Sequence, residues 1–181
     1  KYADACIAPC LHSGDGNLAF THGDKVYIVF GWVVPEHRRG ELEAKRPPIP
    51  ANHPALQQQF IYSWGDEKRI GHSRNGVPTY IVVYDINTRR VSDPVFVGMG
   101  GYAPDGHNWP AITADSQGYL HVLINGHHNP SMYTRSVEPW SIAAWTTPEY
   151  LLAGTDEPNM TYNTFNCDAD DTLHVVARST K

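Results

Sequence analysis

Charge, cysteine and helical periodicity are all scarce in this sequence, and each scarcity excludes something. Only 18 % of its 181 residues are Lys, Arg, Asp or Glu, and the net charge is −5. That balance offers no basic face for nucleic acid. It also means that recognition of an anionic polymer must be local rather than a property of the whole surface. No apolar run reaches the roughly 18 residues a transmembrane helix needs, so no membrane partner is expected. Three cysteines, Cys6, Cys10 and Cys167, leave one unpaired even if the first two bond; the spacing of Cys6 and Cys10 suits a small disulfide loop or half of a metal site. The patterns H-x-H, H-E-x-x-H and C-x-x-C are missing, and with them the short zinc signatures. A helical period is absent except for a short piece at 53–60, "HPALQQQF". No leader peptide is visible and the chain opens on Lys1, so processing or truncation is the expectation.

What remains is aromatic and rich in turn residues: ten Tyr, five Trp, 15 Gly and 14 Pro. This composition favours strands punctuated by turns. Strands are expected in "KVYIVFGWVV" (25–34), on both sides of a turn in 79–98 and in 111–126, in "SMYTRS" with a partner in 143–153, and again in 164–179. Two of these segments are copies. "AITADSQGYLHVL" and "TFNCDADDTLHVV" align without gaps at an offset of 53, which sets Asp115 on Asp168 and His121 on His174. A period near 50 residues built of about four strands is the mark of a β-propeller blade. The expected fold is therefore all-β, a propeller of which about three blades are present. One partial propeller domain is assigned to 1–181, with repeats near 79–136 and 143–181 and a long polar insertion loop at 35–76. A closed propeller needs at least four blades, so the chain reads as part of a longer one. A small sandwich of about ten strands is the bland alternative.

The stretch 105–136 carries four histidines, His107, His121, His127 and His128. His121 and His174 share one place in the repeat, which argues for packing or hydrogen bonding. His107 and His127 stand instead at strand ends beside turn residues, where propeller strands converge and side chains become available to a ligand. In the second copy the corresponding places carry Tyr162 and Arg178. Two imidazoles, a phenol and a guanidinium, without a pair of carboxylates, do not suit glycoside hydrolysis by the usual acid and nucleophile. They suit abstraction of a proton next to a carboxylate, where cations offset the enolate-like charge and a phenol or imidazole moves the protons. That is β-elimination from a uronic acid. Adjacent His127 and His128 would point to opposite sides of a strand and could not easily share one ion, although a zinc site assembled from distant His and Cys remains an alternative.

The motifs "DGHNWPAITADSQGYLHVLINGHHNPSMYTRS" and "MTYNTF…DDTLHVVARS" resemble the BNR-4 repeat family of seven-bladed propellers, which includes propeller-type ulvan lyases and rhamnose–glucuronate lyases. The resemblance covers about 75–181. It implies catalytic roles for His107, His127, Tyr162 and Arg178, with Asn108, His128, Tyr133 and Arg135 binding substrate. Asn163 stands where the family usually has Pro, and the segment between Ser136 and Tyr162 is short for the family. The implied activity is a secreted or periplasmic polysaccharide lyase acting on an anionic glycan, with no cofactor and no catalytic metal, a structural metal ion being left open. The rival readings are a hydrolase of rhamnosyl–glucuronate ends and a non-catalytic carbohydrate-binding propeller.

Overall fold

The computed structural model describes residues 17–31, 41, 44, 77–100, 109–124, 129–151 and 159–179. Every named element is a strand, and the strands form three sheets. The first contains β1 (Ala19–His22), β2 (Lys25–Gly31), β3 (Val77–Asp85), β4 (Arg90–Val91) and β5 (Val95–Gly100). Its spine runs β1-β2-β3, with β4 and β5 both on β3. The second contains β6 (Ala111–Ala114), β7 (Leu120–Ile124), β9 (Met132–Arg135) and β10 (Glu149–Tyr150), in the order β10-β9-β7-β6. The third contains β8 (Asn129–Pro130), β11 (Asn159–Cys167) and β12 (Leu173–Ser179), in the order β12-β11-β8. All neighbouring strands are antiparallel.

One strand of each sheet lies beside the next, β6 of the second between β1 of the first and β11 of the third. Successive sheets thus fan out from a shared inner row, which is the arrangement of propeller blades. Asn17 fixes that row. Its carbonyl accepts from Ile112 N–H at 2.9 Å, its side-chain amide donates to the Ile112 carbonyl, and its side-chain oxygen accepts from Phe165 N–H at 3.2 Å. A single side chain and carbonyl, two positions ahead of β1, therefore tie β6 to β11.

β7 is buried at every position, because it has a sheet on each face. Leu120, Val122 and Ile124 join Ile112 and Met132 against Tyr27, Val29, Ile81 and Val97 of the first sheet. Leu123 faces the other way and meets Phe165 of the third sheet, with Ala111, Tyr133, Leu151 and Leu173 around them. A strand covered on both faces reads in sequence as a continuous apolar run rather than as an alternation. Complete burial of each such side chain favours folding by about 1.5–3 kcal/mol before entropy is counted.

The repeat is visible atom by atom in the turns. Asp115 opens the β6–β7 turn and accepts from the N–H groups of Gln117 and Tyr119; Asp168 opens the β11–β12 turn and accepts from Asp170 and Thr172. Both turns need a left-handed residue at the same place, Gly118 (φ +88°) in one and Asp171 (φ +60°) in the other. The choice of Gly at 118 has a packing reason as well. The Trp140 indole lies where a Cβ would be, and its backbone N–H donates to the Gly118 carbonyl at 2.7 Å. That indole also stacks on His22 at 3.6 Å between ring centroids, joining the first sheet to the second.

The sheet divisions place the pair 79–98 with β1 and β2, and they place Glu149–Tyr150 beside β9. Elsewhere in 143–153, Trp145 forms an isolated bridge to Ser136. The short helical piece expected at 53–60 and nearly all of the loop assigned to 35–76 fall outside the described residues.

Candidate active site

The two hairpin turns identify the ends of the sheets. Asp171 in the β11–β12 turn accepts from Ser116 in the β6–β7 turn, through both the backbone N–H and the hydroxyl at 2.7 Å. The turns thus share one end of the fold. The start of β6, the end of β7, the start of β11 and the end of β12 share the opposite end, since Ala111 pairs with Leu123 and Thr161 with Arg178. Of the predicted catalytic residues, Tyr162 and Arg178 are at this end. His107, Asn108, His127 and His128 lie outside the described residues.

At Tyr162 the ladder between β11 and β12 is broken. Thr161 pairs with Arg178 and Thr164 with Val176, so Tyr162 and Asn163 together face Ala177. This is a β-bulge, and its first residue is left-handed: Tyr162 has φ +56°. An aromatic residue in that region costs on the order of 1–2 kcal/mol. Bulges of this kind re-aim a side chain, and strain of this kind is held where the surroundings over-determine it. Here the Arg178 guanidinium covers the Tyr162 ring, 4.7 Å from ring centroid to Cζ. This is a cation–π contact, in which the positive charge sits over the face of the phenol ring. Arg178 is exposed and Tyr162 half-buried, so a cation and a phenol are presented together at a strand end.

Behind the bulge the polar contacts are buried. Asn163 donates from Nδ2 to Ser131 Oγ at 2.9 Å, and both residues are inaccessible. Ser131 is the residue at which the chain passes from β8 in the third sheet to β9 in the second. β8 in turn pairs with the beginning of β11, Asn129 opposite Met160 and Pro130 opposite Asn159. The sequence reading passed over this pair. The signal available was the alignment itself, which sets Asn163 against Pro110.

The two other predicted binding residues are on β9. Arg135 lies over the Tyr119 ring, 4.3 Å from its centroid. Tyr133 packs edge-on against Phe165 and its phenol is 2.7 Å from His121 Nδ1. His121 Nε2 is 3.2 Å from Asp115 Oδ2. A carboxylate only accepts, so Nε2–H donates to Asp115, and in the neutral imidazole Nδ1 then accepts from the Tyr133 hydroxyl. Burial holds the His121 pKa below its ordinary value, the Asp115 contact opposing it; burial likewise pushes the Tyr133 phenol up. This Asp–His–Tyr chain lies between the second and third sheets. Its counterpart, His174 with Asp168 at 2.7 Å, is exposed. Hydrogen bonds from His174 and the turn amides hold Asp168 below the usual carboxylate range. Among the described residues no three His, Cys, Asp or Glu side chains converge as a metal site would require.

Comparison with known proteins agrees with this architecture. No curated protein matches the chain. Solved structures that share its fold include a polysaccharide lyase of family PL25 described as an ulvan lyase (TM-score 0.57, 16 % identity, 93 % of this chain and 32 % of that one), the same kind of enzyme bound to -[GlcA(1-4)Rha3S]- (0.55, 14 %, 92 % and 33 %), and the polysaccharide lyase Uly1 (0.54, 12 %, 97 % and 37 %). The chain spans about a third of the length of each of them. Their fold and the three fanned sheets identify the architecture as part of a β-propeller. The profile described as "BNR repeat-containing family member" matches residues 67–181, the stretch that contains both copies of the repeat and both members of the Tyr162–Arg178 pair, and the chain belongs to that family.

Proposed function

We propose that this chain carries part of the active site of a polysaccharide lyase that cleaves rhamnose–uronic acid linkages by β-elimination, on an anionic glycan of the ulvan type outside the cytoplasm. The observation that carries the reading is the Arg178 guanidinium stacked on Tyr162 at a strained bulge. Removing the proton α to a carboxylate builds negative charge on that carboxylate, and a guanidinium can hold it with two parallel N–H donors. The phenol stacked on the guanidinium is a group able to take or return a proton. In balance, the α proton goes to the base, its electron pair forms the new carbon–carbon double bond, the β carbon–oxygen bond breaks, and the departing oxygen receives a proton. His107 and His127 are proposed to share the charge and proton duties with this pair. Asn108 and His128 are proposed as substrate contacts; the same role is not proposed for Tyr133, whose phenol is engaged by His121, or for Arg135, which lies over Tyr119 towards the turn end of the sheet.

The similarity of fold to polysaccharide lyases supports the class, and the oligosaccharide in one of those structures supports a glycan substrate. The test is to incubate the chain with a uronate-containing sulfated rhamnan and follow ultraviolet absorbance of the unsaturated uronyl end. Growth of that chromophore in wild type and its loss in Tyr162→Phe supports the lyase. New reducing ends without the chromophore would identify a hydrolase, and glycan binding without either product a binding module.

A further inference from the structure

We propose that Asn163 is a positioning residue, which through its buried bond to Ser131 holds Tyr162 in the left-handed bulge and sets β8 beside it; the inference rests on the reading of Tyr162 as a proton-handling group. At the bulge Tyr162 is half-buried and Asn163 fully buried. Asn163 turns inward, 1 % exposed, and donates to Ser131 Oγ at 2.9 Å. Ser131 is itself fixed, with no exposed surface and with its carbonyl accepting from Leu151 N–H at 2.9 Å. The bond therefore anchors the bulge in the third sheet to the β8–β9 junction that leads into the second.

Apolar packing could fill the same space, but it is non-directional. A hydrogen bond between two buried groups has one satisfactory geometry, and leaving either group without it is costly. Such a bond can select a left-handed conformation that Tyr162 would otherwise avoid. It also fixes the register in which Asn129 faces Met160, two residues from Tyr162. The Tyr162 side chain then reaches Arg178 as a consequence of where Asn163 points. In this chain the bond is made by the amide donor of Asn163, which proline could not supply. Proline there would also bias residue 162 towards extended backbone.

The experiment compares Asn163→Ala, Ser131→Ala and the double variant in the full chain with selectively ring-labelled tyrosine, the Tyr162 signal being identified by its loss in Tyr162→Phe. Each single variant is expected to move the Tyr162 signal more than that of any other tyrosine, and the double variant to move it no further. On a uronate polymer both should lower kcat about tenfold or more with little change in KM, as displacement of a reacting group does. If Asn163→Ala fails to fold, Ser131→Ala, which removes a single oxygen, carries the same comparison. A lowered melting temperature with the Tyr162 signal and kcat unchanged would overturn the positioning role while leaving the lyase reading intact. Full turnover by Tyr162→Phe would instead overturn the proton-handling role of Tyr162 on which this inference rests, and reducing ends without the chromophore in wild type would overturn the lyase reading itself.

Discussion

Arg178 and Tyr162 are stacked across the break in the β11–β12 ladder, 4.7 Å from guanidinium carbon to ring centroid. Neither residue would meet the other in a regular ladder, because Arg178 pairs with Thr161 and side chains alternate in direction along a strand. The contact exists because the bulge turns Tyr162 out of the alternation.

Replacing Arg178 should expose the electrostatic half of the proposed chemistry. Arg178→Ala is expected to lower kcat/KM on a uronate polymer by about 10²-fold or more, the usual scale for losing one charge-stabilising donor. Arg178→Lys keeps the charge but neither the flat stacking surface nor the paired donors, and should recover only a small part of the loss. Equal rates for Lys and Arg would show that only net charge matters here.

Acidification should weaken the junction between the second and third sheets. His121 titrates below its ordinary value of 6.5 in the folded chain, chiefly because of burial, with Arg135 adding to that and Asp115 and Asp171 opposing it. Between the two values the unfolded chain binds a proton that the folded chain refuses, so stability rises with pH there. The contribution is complete above 6.5 and is lost as pH falls towards the depressed folded value. Thermal unfolding of wild type and His121→Gln across that window should show a steeper decline in wild type. Parallel curves would assign the acid sensitivity to other groups.

Gly118 and Gly23 both have positive φ, but they should tolerate alanine differently. A Cβ at Gly23 meets nothing within 4 Å, whereas at Gly118 it would fall 2.2 Å from the Trp140 indole nitrogen. Gly23→Ala is expected to cost about 1–2 kcal/mol of backbone strain. Gly118→Ala should cost about 1–3 kcal/mol more, because the indole that joins two sheets must move. Urea unfolding of the two variants gives the comparison directly.

Phe165 supplies the centre of the packing between the second and third sheets. Phe165→Ala should cost about 3–5 kcal/mol. Amide exchange should accelerate in β11 and β12 well before it does in β2 and β3, which have a core of their own. Uniform acceleration across all three sheets would mean that the blades unfold only together.

Much of the architecture was legible because it is local and repeated. The alignment of Asp115 with Asp168 and of His121 with His174 needs no tertiary information, and the same alignment separates architectural histidines from those at strand ends. Asp at the head of each turn accepts two backbone N–H groups for the same reason in both copies. Alternation and turn chemistry act within a few residues, so they leave a trace in the sequence.

Three things needed the folded chain. The packing of Tyr133 against His121 and Phe165 depends on β11, a strand that begins more than twenty residues later in the sequence. The left-handed Tyr162 depends on a bulge, and one extra residue in a strand changes neither composition nor period. The Asn163–Ser131 bond joins positions 32 residues apart, in two sheets that nothing in either local segment brings together. The sequence by itself determined which residue types stand at which strand ends, because strand period and turn preference are short-range. Only the tertiary structure decided which of those side chains touch, because that depends on how whole sheets pack and where a single ladder slips.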